Sequence, residues 1–104
     1  MIRIFVRCGR DGSIEEFTVK GHAGCGEAGR DIVCAAVSAV VQTAVIGLTD
    51  IAGLKPEYHQ RDGFLQCILP GELSEEEKRT AGVVLRTMLA GLKSIQYGYP
   101  DLLS

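Results

Sequence analysis

One stretch of this 104-residue chain, Gly21 to Ser38, reads GHAGCGEAGRDIVCAAVS and holds one of its two histidines and two of its four cysteines. Asp31 is followed by Ile32 and Val33 and then by no charged residue until Asp50, the pattern of an N-cap aspartate opening a buried helix. Cys34 is then the third helical residue. A sulfur in the first turn lies among unpaired backbone N–H groups at the positive end of the helix dipole, which favours an anion. A thiolate is such an anion, and cysteines at helix N-termini are nucleophilic for this reason. His22 stands upstream across a loop rich in glycine and alanine, able to fold back and bring an imidazole to the mouth of the helix. Cysteine and histidine form the minimal pair for nucleophilic catalysis, with Cys34 as nucleophile and His22 as the base that takes its proton and later protonates the leaving group.

Around this pair, Asp31 reads first as a helix cap and second as a carboxylate able to orient the imidazole. Ser38, one turn beyond Cys34, can hydrogen-bond near the thiol or back to its own helix. Gly21, Ala23, Gly24 and Gly29 belong to a loop that is either turn chemistry or a segment that opens and closes over a substrate. Each residue also has a plainer reading. Cys34 can be a small buried hydrophobe, and His22 a surface histidine satisfied by loop backbone. A metal is the competing constellation, with His22, Cys25 and Cys34 as ligands and Cys8, His59 or Cys67 as a fourth. Only His22 and Cys25 have the short gap that zinc loops use, where structural zinc draws on two short pairs. Cys25 and Cys34 as a redox pair lack the two-residue separation of thioredoxin-like sites. Neither a metal nor a cofactor is therefore expected.

The elements that must position these residues follow from periodicity. Ile2, Ile4 and Val6 alternate with Arg3, Phe5 and Arg7, a strand with one buried face ending at Cys8. Asp11 and Gly12 suit a tight turn, and a second strand runs from Ile14 to Lys20 before Gly21 lets the chain leave the sheet. The first helix is expected from about Ile32 to Ile51, stopped by Gly53 and Pro56. Strands at Lys55–Gln60 and Phe64–Leu69 flank the Asp62–Gly63 turn, and Pro56 suggests an edge position for the third. Ser74 and Glu77 form a capping box for a second helix whose Ala81, Val84, Leu85, Met88, Leu92 and Ile95 make one apolar stripe. Gly98 and Pro100 end it. The order, ββαββα, predicts an α+β sandwich in which a four-stranded, mostly antiparallel sheet packs both helices on one face. No linker divides residues 1–104, which read as a single domain.

With 46% hydrophobic and 23% charged residues the chain can bury a core without staples. The absence of a cleavable apolar leader and the irregular cysteine spacing point to a reducing, cytoplasmic setting. A net charge of −2 with no run of lysine and arginine gives nucleic acid little to bind. The uncharged run from Ile32 to Thr49 touches the lower limit for a membrane span, but its Ser38, Gln42, Thr43 and many alanines suit a central helix better, and no membrane contact is expected. That helix carries more apolar surface than one sheet and one helix need cover, which makes a homodimer the expected assembly.

GHAG, a small-residue loop and GRDIVCAAVS resemble the signature of Prp, the ribosomal-processing cysteine proteases of Firmicutes and related bacteria. The resemblance extends over the chain through the opening IRIFV, the DG turn before FLQCIL and the GYP near the end. It implies a dimeric cysteine protease that removes the short N-terminal extension of a large-subunit ribosomal protein precursor, with Cys34 as nucleophile and His22 as general base, and with the loop between them mobile and ordered by substrate. Cys25 stands where the family suggests a non-thiol residue, and the tail DLLS is shorter and more acidic than expected. The alternative from a different class is a non-enzymatic, ribosome-associated or zinc-binding module.

Overall fold

Two aspartate–glycine turns close two hairpins, and the sheet is built from them. In a computed structural model, which describes residues 1–21 and 30–101 with the side chains of residues 30 and 31 excepted, β1 (Arg3–Cys8) and β2 (Ile14–Lys20) form the first hairpin and β3 (Glu57–Arg61) and β4 (Phe64–Ile68) the second. Gly12 and Gly63 stand at φ +83° and +72°, the left-handed region that an L-residue with a side chain avoids. The first turn is tied further by Asp11, whose carboxylate accepts from the Ser13 N–H at 3.0 Å and from its hydroxyl. Those bonds hold the Asp11 pKa down at about 2, because a carboxylate that accepts hydrogen bonds is favoured in its charged form.

The strand order is β1-β2-β4-β3 with every pair antiparallel. The two hairpins therefore meet through their second strands, and β3 takes an edge as Pro56 suggests. Alternation assigns the faces. Phe17, Leu65 and Cys67 point inward and are buried. Arg7, Glu16, Gln66 and His59 lie on the opposite, open face, where Arg7 pairs with Glu16 at 3.2 Å and Gln66 donates to Glu16 at 3.0 Å.

Both helices cover the inner face. α1 (Arg30–Ile46) continues into a π-helical turn, Gly47–Ile51, where the Ala52 N–H reaches the Gly47 carbonyl at 2.9 Å. Gly53, at φ +70°, then ends the helix. α2 (Glu75–Gly98) starts at the capping box read from the sequence: the Glu77 N–H donates to Ser74 Oγ at 3.1 Å, and the Ser74 N–H donates to Glu77 at 2.8 Å. The core combines Phe17 and Cys67 of the sheet with Val33, Val41 and Leu48 of the first helix and Leu85 of the second, all fully buried. Burying each large side chain contributes roughly 1.5–3 kcal/mol before chain entropy is counted. Burial in this apolar layer pushes the Cys67 thiol up to about 11, since the thiolate would be desolvated there.

Two expectations need correction. The strands β3 and β4 differ from the sequence reading by one or two residues at their ends, within the usual fraying of such boundaries. The start of the first helix matters more. It begins at Arg30, so Asp31 is its second residue rather than its cap, and Cys34 is the fifth helical residue rather than the third.

Ile32–Ile51 is long and apolar enough to cross a membrane. In the fold, however, Val33, Val37, Val41, Ala44, Val45 and Leu48 are packed in the core. The outer side of the same helix carries Ile32, Ala35, Ala39, Thr43 and Ile46, all exposed and uncharged.

Candidate active site

α1 presents one face to a groove over the sheet. Cys34, Val37, Ser38, Val41 and Gln42, at intervals of three and four, line one wall of a pocket of about 520 Å³, as residues on one side of an α-helix do. The opposite wall is the β3–β4 turn, from Gln60 through Asp62 and Gly63 to Phe64. Val19 and Gly21 at the end of β2 complete the floor with Ile2 and Leu65. Cys34 is half-buried at the N-terminal end of this groove. As the fifth residue of the helix it lies just beyond the open N–H groups, which belong to the residues ahead of it. Its Cα–Cβ bond still tilts toward the helix N-terminus, so the sulfur leans toward that first turn.

Gly21 is the described residue immediately before His22. Its N–H donates to the Gly63 carbonyl at 2.9 Å, and this bond fixes where the chain leaves β2, at the mouth of the pocket. The glycine is required twice over. Its φ is +94°, and a Cβ built there would lie 2.5 Å from the Met1 carbonyl oxygen, closer than non-bonded atoms approach. His22, Ala23, Gly24, Cys25 and Gly29 lie outside the described residues, as does the side chain of Asp31. The structure therefore brings together Cys34, Ser38 and Gly21 from the residues singled out in the sequence.

The residues considered as extra metal donors are dispersed. Cys8 is exposed at the far end of β1, Cys67 is enclosed in the core, and His59 pairs with Glu57 at 2.9 Å on β3. Among the described residues no three histidine, cysteine or carboxylate side chains converge.

The groove also contains residues that the sequence reading did not single out for the site. Gln42 shares the Cys34 face by helical arithmetic, and that spacing could have found it. Gln60, Arg61 and Asp62 arrive through the β2–β4 pairing, a long-range contact with no local signal.

A half-buried cysteine near the start of a core helix, facing a groove floored by an antiparallel sheet, defines a small α+β protein with the layout of a thiol hydrolase. Comparison with known proteins is more specific: the chain belongs to the cysteine protease Prp family, whose model matches residues 1–104. The ribosomal processing cysteine protease Prp of Bacillus subtilis (strain 168) is 33% identical over 103 residues, covering 97% of this chain and 92% of the relative. Two crystal structures of an essential ribosomal processing protease Prp from S. aureus are similar throughout. The complex with a covalently linked product peptide superimposes with a TM-score of 0.85 at 28% identity, covering 100% of this chain and 96% of the other. The complex with a substrate peptide gives 0.86 at 26% identity with the same coverage.

Proposed function

We propose that this chain is a cysteine endopeptidase that removes the short N-terminal extension of a large-subunit ribosomal protein precursor in the cytoplasm. The observation that carries the reading is the placement of Cys34 at one end of an open groove in a member of a cysteine protease family. From Cys34 to Gln42 the helix rises about 12 Å, which matches roughly three or four residues of extended chain. The groove thus suits a peptide segment rather than a small metabolite. Its wall is mixed, with Val37 and Val41 offering apolar contact and Ser38, Gln42 and Gln60 offering hydrogen bonds.

In the proposed reaction His22 takes the Cys34 proton and the thiolate attacks the carbonyl carbon of the scissile bond. The resulting oxyanion is stabilised by N–H groups at the start of α1. The amine leaves with the proton from His22, and water then releases the acyl-enzyme. Gly21, Ala23, Gly24 and Gly29 serve the segment that admits and covers the peptide, Ser38 lines the groove beside the thiol, and Asp31 acts as an orienting carboxylate for the imidazole. No metal or cofactor takes part.

Assembly as a homodimer is part of the same proposal. It is supported by the uncharged outer stripe of α1, on which Ile32 is 63% and Ile46 55% exposed.

The test is cleavage of the purified precursor in chelator and reductant, read by intact mass. The parent is expected to cut one bond. Cys34→Ala should cut none, and His22→Ala should be slowed by at least about a hundredfold, the lower range for loss of a general base. Full activity in Cys34→Ala would remove the nucleophile assignment. An intact precursor with every variant would remove the substrate.

A further inference from the structure

We propose that the open face of the sheet, at the end adjoining Gly21, binds a segment of single-stranded RNA, with Arg3, Lys20 and Arg61 on its phosphates and Phe5 and Phe64 against its bases.

The register gathers what the sequence scatters. Arg3 pairs with Lys20, Lys20 with Phe64, and Phe64 with Arg61, so these residues form one row across all four strands on the face away from the helices. Three inter-strand steps make that row about 14 Å long. The next row begins with Phe5, opposite Thr18, and Phe5 is 50% exposed. The aromatic rings and the cations interleave in space: Lys20 Nζ lies 5.6 Å from the centre of the Phe5 ring, and the Arg61 guanidinium carbon lies 4.0 Å from that of Phe64. Among the described residues Arg3, Lys20 and Arg61 take part in no ion pair. Among the described side chains of this end of the face, even with Asp62 counted from the adjoining turn, positive charges exceed negative ones by two, three minus one.

The other end of the face is different. Arg7 is held by Glu15 at 2.7 Å and by Glu16 at 3.2 Å, and Glu57 lies in the same row. A polyanion is attracted to one end of the sheet and repelled from the other. An exposed ring, Phe5, and a half-buried one, Phe64, beside cations without ion-pair partners on an antiparallel sheet are the combination that holds single strands, since each base can stack on a ring or a guanidinium plane while cations track the backbone. A protein partner would find there three charges to desolvate and little continuous apolar area. The expectation from the sequence that nucleic acid has little to bind rested on linear clustering, and Arg3, Lys20 and Arg61 are 17 and 41 positions apart (20 − 3 and 61 − 20). Arg61 and Phe64 also line the Cys34 groove, so bound RNA would lie at its mouth. If the proposed substrate holds, this contact would bring the enzyme to a precursor already on RNA, but the binding itself does not depend on that reading.

The experiment is fluorescence anisotropy of labelled twelve-residue oligouridylate and oligoadenylate with the intact chain at 50 mM and 200 mM salt. Saturable binding is expected, with a log–log salt slope of about −2 for three phosphate contacts. Arg3→Ala and Lys20→Ala should each weaken binding severalfold and lower the slope magnitude by about 0.7. Phe5→Ala should weaken it by at least about fivefold with the slope unchanged, as the loss of one stacked base requires. Arg7→Ala, at the other end, should bind as the parent does. The proposal is overturned by absence of saturable binding at 50 mM salt, by parental affinity in both Arg3→Ala and Lys20→Ala, by an equal loss in Arg7→Ala, or by inorganic polyphosphate competing as well as RNA of equal charge. Cleavage of the precursor is read separately, so failure here leaves the protease reading standing, and the reverse.

Discussion

At the scale of single residues, the site depends on two positions whose constraints are of different kinds. Cys34, half-buried and packed against the edge of the core, is constrained by the chemistry proposed for its sulfur. Gly21 is chosen for backbone. Its N–H is spent on the Gly63 carbonyl, its φ lies in the left-handed region, and the Met1 carbonyl fills the space a Cβ would need. Gly21→Ala should therefore cost about 1–3 kcal/mol, the range for a strained backbone position, and thermal or denaturant unfolding will read it. The turn from β2 toward His22 is the same backbone, so the variant should lose cleavage at temperatures where it remains folded. A variant that unfolds with the parent's midpoint and retains full activity would show that this crossing is not constrained. Cys67 illustrates the opposite environment: with its thiol pushed up to about 11 by burial, it has neither the charge nor the access to compete with Cys34 for an alkylating reagent.

At the scale of elements, the turns, the strand alternation and the cap of α2 were legible in the sequence. The two Asp–Gly turns, the alternation of β1 and β2, and the apolar stripe of α2 are signals carried within a few residues. The Ser74–Glu77 box is the clearest, and both of its hydrogen bonds are present. Ser74→Ala should lower stability by about 1 kcal/mol, the usual cost of a lost N-cap, with cleavage unchanged when assayed well below the transition. A loss several times larger would mean that Ser74 does more than cap, and urea titration measures it. The start of α1 was misjudged for an identifiable reason. Asp31 is a favoured N-cap residue ahead of an uncharged run, so local rules favour a cap at Asp31 and a helix from Ile32. The helix nevertheless starts at Arg30. The π-helical turn at Gly47–Ile51 had no signal that distinguishes it from continued α-helix. The β2–β4 pairing was also invisible, because a register between hairpins is set by which faces are buried together and not by neighbouring residues. That pairing brings the Asp62–Gly63 turn to Gly21, and so it makes the far wall of the groove. Cys34 could be singled out from the sequence, but the pocket it lines could not.

At the scale of the molecule, the two sides of the sandwich are finished differently. The open face of the sheet is polar and charged, whereas the outer stripe of α1 from Ile32 through Ala35, Ala39 and Thr43 to Ile46 carries no charge and exposes Ile32 and Ile46 at 63% and 55%. Covering a side chain of this kind fully contributes on the order of 1.5–3 kcal/mol. A second copy with the same stripe is self-complementary about a two-fold axis. The homodimer proposed above therefore predicts a sedimentation mass twice that of the chain at micromolar concentration. Ile46→Glu replaces an apolar contact by a carboxylate that would have to be buried, and because the axis brings related positions together the charge is introduced on both copies. A loss of about 3 kcal/mol or more weakens association by over a hundredfold, enough to leave monomer at the same concentration. Ile46 is exposed in the single chain, so its replacement leaves the core and the Cys34 groove untouched, and circular dichroism should be that of the parent. A parental dimer in Ile46→Glu would place the interface elsewhere. A folded monomer that still cleaves would show that each copy carries a complete site, whereas a folded monomer without cleavage would mean that dimerisation completes the machinery around Cys34.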